Sequence, residues 1–443
     1  MAISAPQVEK KNGSVLNSAL VQKVLTYRYF IFALIAIPYF LVYFHRTSTA
    51  VVAKALVDAF GVTPAALGLL GSMYFYPYAA GQLPAGILAD NWGPKKTVSL
   101  FLLIAAAGAI LFGAAPNFAT AVVGRFLVGL GVGFVYVPAM RLLADWFRKQ
   151  EFATMSGVLL AIGNMGSLSS AGPLALMMAA IGWRSSFYVI GAVTFLAVIL
   201  FFLFMVNKPQ DKGWPSIQEI EGIAAPTGQG GKKIGIGESL KLIFSNWQFN
   251  KIGILLFFFY GGMMGFQGLW AGPWLRHVYG MEPTQAANYL MLMAVGLVFG
   301  CPLSGILSDK VLKSRKKVLL YGGILYTLSY IPIVLKIATL TPTMIAALFF
   351  YWGLTAGSFV VCFANSKECF PVELAGTSTG AVNLYIFVGG AVHQQVMGLI
   401  IQRYPAVNGI YPAAAYQAAF AFLIAGMALA LLLYSTFKEK PQF

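Results

Sequence analysis

Acidic side chains are what this chain has least of. Only 14 of its 443 residues are Asp or Glu, beside 30 Lys and Arg, and charged residues make up 10% of the total. A soluble domain carries about a quarter, so a large water-soluble core is excluded. Every one of the 14 acids falls in a loop, a tail or at the end of an apolar run, and none sits mid-run. That removes the buried carboxylate with which a cation or multidrug carrier would handle charge. Cysteine is scarce too. Cys301, Cys362 and Cys369 lie in or beside apolar runs, with neither metal-ligand nor disulfide-framework spacing. There is no nucleotide-binding motif and no acid–base pair within the apolar runs, so an enzyme, a metal and a cofactor are all unexpected. Residues 1–27 are polar and mildly basic, and the first apolar run is too long for a signal-peptide core, so no cleaved leader is expected.

What the chain has in abundance is apolar length, with 59% hydrophobic residues. Windows of about 20 apolar residues, enough for a helix to cross a bilayer, recur twelve times between 29–55 and 411–436. One polar stretch, 207–249, divides them six and six. The expected fold class is therefore an all-α membrane protein with twelve transmembrane helices in two pseudo-symmetric six-helix bundles. The first bundle spans 1–206 and the second 250–443, and 207–249 is a cytoplasmic linker loop.

Basic residues set the orientation. With the N-terminus inside, the cytoplasmic loops and tails collect nearly all lysines and arginines. Only Lys54, Arg125, Arg184, Arg276, Lys336 and Arg403 fall on the opposite side or its helix ends, and Arg46 alone falls mid-span. The positive-inside rule then places both termini in the cytoplasm, in a plasma membrane of the bacterial inner-membrane type. The net charge of +16 is explained as topology, and no nucleic-acid partner is expected.

The halves repeat. Gly81-QLPA-Gly86-ILA-Asp90 returns as Gly300-CPLS-Gly305-ILS-Asp309, each landmark displaced by 219 residues. Phe147 to Gly157 returns as Phe370 to Gly380, displaced by 223. Duplication of this kind is how many transporters are built, with the substrate site between the halves near the midplane.

Arg46 is then the anomaly. It lies near the middle of YFIFALIAIPYFLVYFHRTSTAVVAKA with His45 beside it and no acid along the run. A charge at bilayer depth costs at least about 2.5–3.5 kcal/mol, and such residues face a bundle interior and serve a pathway. The alternative is snorkelling to the headgroups, for which Arg46 is far from either end. A guanidinium without a carboxylate attracts anions, because its planar fork matches carboxylate or phosphate.

Gly86-ILA-Asp90-NW-Gly93-P-Lys95-Lys96 resembles the loop 2–3 signature of the major facilitator superfamily, with Asn91 where the family usually has arginine. Arg125-FLV-Gly129-LGV-Gly133 resembles the fourth-helix motif of the same family. The resemblance covers the whole chain in helix number, central loop and repeat. It implies a gating and structural role for Gly86, Asp90, Gly93, Lys95 and Arg125, and for the repeat-mates Gly305 and Asp309. The glycines would let spans two and eleven approach, and Asp90 would hold the basic loop across the interface of the halves in one gating state.

Within the superfamily, Tyr39, Tyr43 and Arg46 with Tyr78 and Gln82 resemble the anion:cation symporters and the organophosphate:phosphate antiporters. The symporters typically carry aspartate where this chain has His45, and many carry a glutamate in span four that is absent here. The phosphate antiporters usually add an arginine in span seven; the 219 offset from Arg46 lands on Gly265.

The expected function is secondary active transport of a small organic anion of carboxylate type by alternating access, with protons as coupling ion and a monomer in the lipid bilayer. Arg46 anchors the anion, and Tyr43, Tyr39, Tyr78 and Gln82 orient it. Polar side chains in other spans, Asn164, Gln267, Trp270, Tyr351 and Asn383, are further substrate-binding candidates, each with the alternative of an interhelical hydrogen bond. His45 and His393, the two histidines inside spans, are the proton-carrier candidates. An anion exchanger or exporter without proton coupling stays open, as does a sensor that binds without transporting.

Overall fold

The computed structural model describes residues 18–222, 236–336, 340–371 and 374–439. Residues 223–235 of the expected linker, and the side chain of Lys336, lie outside the described residues.

Ten helical stretches among the described residues are long and apolar enough to cross a membrane. One of these, Gln150–Phe204, breaks at Gly182 (φ 78°, ψ 161°), a left-handed backbone angle that a side chain would strain, and so holds two spans. Pro64–Asn91, a further 28-residue helix, completes twelve. In chain order these are α1 (Ser18–Phe60), α2 (Pro64–Asn91), α3 (Pro94–Ala114), α4 (Phe118–Trp146), α5 (149–181) and α6 (183–204). The second half holds α7 (Trp247–Tyr279), α8 (Pro283–Val311), α9 (Arg315–Leu335), α10 (Pro342–Glu368), α11 (Ala375–Ile401) and α12 (Ala413–Ser435). The all-α, twelve-helix expectation holds.

Helix starts follow from local chemistry. Thr63, Asn117, Asn246, Ser314 and Thr341 each accept a backbone N–H of the following first turn, satisfying donors that have no intrahelical partner. Pro64, Pro94, Pro283 and Pro342 occupy first-turn positions where their missing N–H costs nothing.

Each half packs through small residues. In the second, Gly296 and Gly300 of α8 meet Phe350 and Leu354 of α10, while Gly353 and Gly357 of α10 meet Met293 and Gly300 of α8. This is close approach through small residues four apart. The halves join where α2 lies on α11 and α8 lies on α5. The close approach expected from the motif glycines comes instead at Gly68 and Gly71, which abut Gln394 of α11; Gly81 packs on Phe134, and Gly86 faces Val137, both of α4.

At the end of the bundle where α12 finishes, no ion pair among the described residues joins the two halves. Arg28 of α1 forks onto Glu151 of α5 at 2.6 and 3.1 Å. Asp90 pairs with Arg141 at 3.2 Å, and Arg141 pairs with Asp145 at 3.1 Å. The second half repeats the arrangement with different residues, Asp309 to Arg315 at 3.3 Å and Arg315 to Glu368. Asp90 thus ties α2 to α4 in this conformation and does not reach across the halves.

Candidate functional site

Arg46 is set in place by its own helix and braced from two others. Pro38 interrupts the hydrogen-bond ladder of α1 two turns earlier. From behind, the Tyr74 hydroxyl of α2 donates to the Val42 carbonyl at 2.9 Å. Arg125 of α4 donates to the His45 carbonyl at 3.1 Å, with its guanidinium 5.1 Å from the centre of the Tyr74 ring. Arg125, expected at a helix end, is in fact fully buried and holds the α1 backbone next to Arg46. Arg46 is therefore not the only buried permanent charge.

The Arg46 side chain is 8% exposed and lies over Tyr43, its guanidinium carbon 3.6 Å from the ring centre. It lines a cavity between the halves with Thr47, Asn164 and Ser167 of the first half and Tyr260 and Gln267 of the second. Met264, Ala294 and Leu297 supply an apolar wall. No carboxylate lines this cavity, and none pairs with Arg46 among the described residues. Tyr260 is held by stacking on Phe359, ring centres 3.8 Å apart and 14° from parallel. The arrangement offers one cation, neutral hydrogen-bonding groups and an apolar wall. Such a set can receive an anion on the guanidinium fork.

The structure thus brings together Arg46, Asn164 and Gln267, with Tyr43 beneath the guanidinium and the Tyr39 hydroxyl 3.4 Å from that of Tyr43. Other candidates lie elsewhere. Tyr78 packs on Phe387 of α11, ring centres 4.0 Å apart. Gln82 donates to the Gly133 carbonyl at 3.0 Å, and Trp270 donates to the Gln394 carbonyl at 2.8 Å. Tyr351 is half-buried on α10, and Asn383 is buried on α11; neither lines the cavity. His45 points away from Arg46, its Nε2 3.2 Å from the Thr194 hydroxyl of α6. His393 Nδ1 lies 2.7 Å from the Gly389 carbonyl, with the rings of Phe257, Phe258 and Phe422 around it. Lys95 receives the Asn207 side chain at its backbone N–H, 2.8 Å, and Gly93 takes φ 82° at the α2–α3 turn. A side chain on Gly305 would meet nothing within 4 Å.

Sequence reasoning missed Tyr260, Thr47 and Ser167. Helical spacing held the signal. Tyr260, Met264 and Gln267 stand at i, i+4 and i+7, Ser167 is three past Asn164, and Thr47 is four past Tyr43, so each shares a face with a residue already singled out. The glycine-rich run 261–268 also marks the span where α7 loosens into a π-turn at Phe266–Trp270.

Comparison with known proteins agrees with this architecture. The chain is 28% identical over 397 residues to a probable sulfoacetate transporter of Cupriavidus necator, covering 86% of this chain and 89% of the relative. It is 25% identical to a hexuronate transporter of Bacillus subtilis, covering 86% and 90%. Among solved structures, a bacterial homolog of the human lysosomal transporter Spinster in an inward-facing, unoccupied conformation superposes with a TM-score of 0.75 at 19% identity, over 94% of this chain and 99% of that one. A D-xylose–proton symporter superposes at 0.71 with 14% identity, over 94% and 99%. The family model of the Major Facilitator Superfamily matches residues 35–393, and the chain belongs to that superfamily of membrane transporters.

Proposed function

We propose that this chain is a secondary transporter of a small organic anion of carboxylate type, moved by alternating access with protons as the coupling ion. The observation that carries the reading is a buried arginine in an inter-half cavity with no carboxylate to neutralise it. The anion takes that place. Arg46 receives the carboxylate bidentately, Tyr43 keeps the guanidinium plane fixed, and Asn164, Ser167, Gln267 and Tyr260 orient the polar body. One arginine suits a single carboxylate with a polar body better than a doubly charged phosphate ester. Names of relatives, a sulfoacetate and a hexuronate transporter, support an anion.

In this reading the chain works as a monomer in a bacterial inner membrane with both termini in the cytoplasm. The end opposite the termini is then the outer end. Contacts that join the halves support a state closed there and open to the cytoplasm. Tyr76 donates to Gln395 at 3.2 Å, Phe75 stacks on Phe387, and Gly272 of α7 backs onto the Ala50 carbonyl of α1, all from mid-depth outwards. The direct test is uptake by purified protein in liposomes. Hexuronates and short sulfonated or hydroxylated carboxylates are expected to be taken up and organic cations are not; selectivity for cations would end the reading.

Two substitutions refine it. Tyr43→Leu removes the face on which Arg46 lies, a contact worth roughly 0.5–2 kcal/mol, so anion affinity is expected to fall about 2- to 30-fold, with Tyr43→Phe retaining most of it. Titration calorimetry reads this directly. His45 lies outside the cavity, so His45→Gln is expected to leave anion binding intact while abolishing anion-driven proton flux. Unchanged flux in a pH-jump assay would remove His45 from the coupling step.

A further inference from the structure

Of the lysines and arginines expected on the outer side or its helix ends, Arg125 and Arg184 have assigned work. Arg125 is bonded to the His45 carbonyl at 3.1 Å, and Arg184 is bonded to the Gly113 and Ala115 carbonyls at 3.1 and 2.6 Å. Arg403 is exposed beyond α11. Lys54 and Arg276 differ from these. They line one crevice between the halves, Lys54 from α1 and Arg276 from α7, and no carboxylate lines it. Arg276 is partly buried and has neither a hydrogen bond nor an ion pair within 4 Å among the described residues, and Asp58 and Glu282 are the acids that act on its charge from farther off. Lys54 has only its i+4 neighbour Asp58, at 3.8 Å, in a pair more than half exposed at both ends. Such a pair is weak and readily exchanged.

The crevice leads inwards. It shares Val51 and Leu290 with a second cavity, and that cavity shares Thr47, Ser167 and Gln267 with the one at Arg46. Small spaces thus follow one another from Lys54 and Arg276 to Arg46. Beside the mouth the helices nearly touch: a Cβ on Gly272 would lie 3.0 Å from the Ala50 carbonyl oxygen.

We propose that Lys54 and Arg276 form an outer entry site for the transported anion, where its carboxylate or sulfonate bridges the two halves before passing to Arg46. The proposal rests on the anion-transport reading above. Asp58, which acts on both cations, offsets part of their repulsion when the outer ends approach, and an anion that exchanges for it bridges the two halves in its place. Loading the mouth therefore favours closing it, with Gly272 and Ala50 meeting as it closes. The same pair raises the local concentration of anions at the mouth, an effect that salt weakens.

The experiment is initial-rate uptake of sulfoacetate and of glucuronate into liposomes at several ionic strengths, for wild type, Lys54→Gln, Arg276→Gln and Arg276→Lys. Each glutamine variant is expected to raise KM about three- to tenfold with kcat near wild type and to flatten the fall of kcat/KM with salt; Arg276→Lys is expected to restore much of both. Thermal stabilisation by the same anions in detergent, where both faces of the protein meet one solution and Arg46 is intact, is expected to stay at its wild-type size. Unchanged KM and salt response, or a loss confined to kcat, overturns the entry site and leaves the anion reading standing. So does a KM that follows chloride at fixed ionic strength, which would give the crevice to an inorganic ion. If neither anion stabilises or is taken up by wild type, the anion reading itself falls and the entry site with it.

Discussion

Arg46→Gln is expected to lower kcat/KM for anion uptake by roughly 150- to 5,000-fold while leaving the empty protein at least as stable as wild type. The two halves of that expectation have one cause. Removing one partner of a buried, hydrogen-bonded charge pair costs about 3–5 kcal/mol, and the pair here forms only when the anion is bound. In the empty protein Arg46 is a buried charge with no carboxylate beside it, so a neutral side chain relieves a desolvation penalty. A structural arginine would behave in the opposite way. Arg125, bonded to the His45 carbonyl and fully buried, is the internal contrast, since its loss leaves that carbonyl and the α1 backbone unbraced. Arg46→Lys is expected to fall between, because an ammonium keeps the charge and loses the planar fork. Uptake kinetics and a detergent melting curve on the same preparations check both halves.

The second large effect is on stability. A Cβ on Gly353 would lie 1.9 Å from the Met293 carbonyl oxygen, and one on Gly296 would lie 2.1 Å from that of Phe350. These are contacts with backbone, which cannot swing aside. Gly353→Val must push α8 and α10 apart along their shared seam, and overpacking of this kind costs about 1–3 kcal/mol, occasionally more. The expected outcome is a melting midpoint lowered by several degrees or failure to recover folded protein. Gly305→Ala on α8 is the control. Nothing lies within 4 Å of its Cβ position, so it should be neutral or slightly stabilising, as alanine is the better helix former. If Gly305→Ala instead blocks uptake at unchanged stability, the open space around it closes in another conformation of the cycle.

Much of this fold can be read from composition, because a bilayer permits few ways of satisfying a backbone and each helix must announce itself as an apolar run. Helix ends were less visible. α1 is already helical at Ser18, well before the apolar run at 29, and Arg28 in that extension finds Glu151 on α5. Hydropathy reports where lipid stops, and the helix stops where its caps are. Arg46 was legible as a lone charge with no acid in reach. Arg125 was misplaced, since its partners, the His45 carbonyl and the Tyr74 ring, belong to other helices and leave no mark on its own span. Tyr260 was overlooked for a similar reason. The repeat offset from Arg46 pointed to Gly265, while the tyrosine that reaches the cavity sits more than a turn earlier on α7.

The central claim is that an anion fills the place of Arg46's missing counter-charge. It is tested most directly by the melting midpoint of purified wild type and Arg46→Gln against a panel of carboxylates, sulfonates, phosphate esters and organic cations. At least one carboxylate or sulfonate is expected to raise the wild-type midpoint, by an amount set by about 2.7 kcal/mol at a hundredfold excess over Kd, and to leave Arg46→Gln unmoved. A cation that stabilises wild type, or an anion that stabilises both proteins equally, would contradict it.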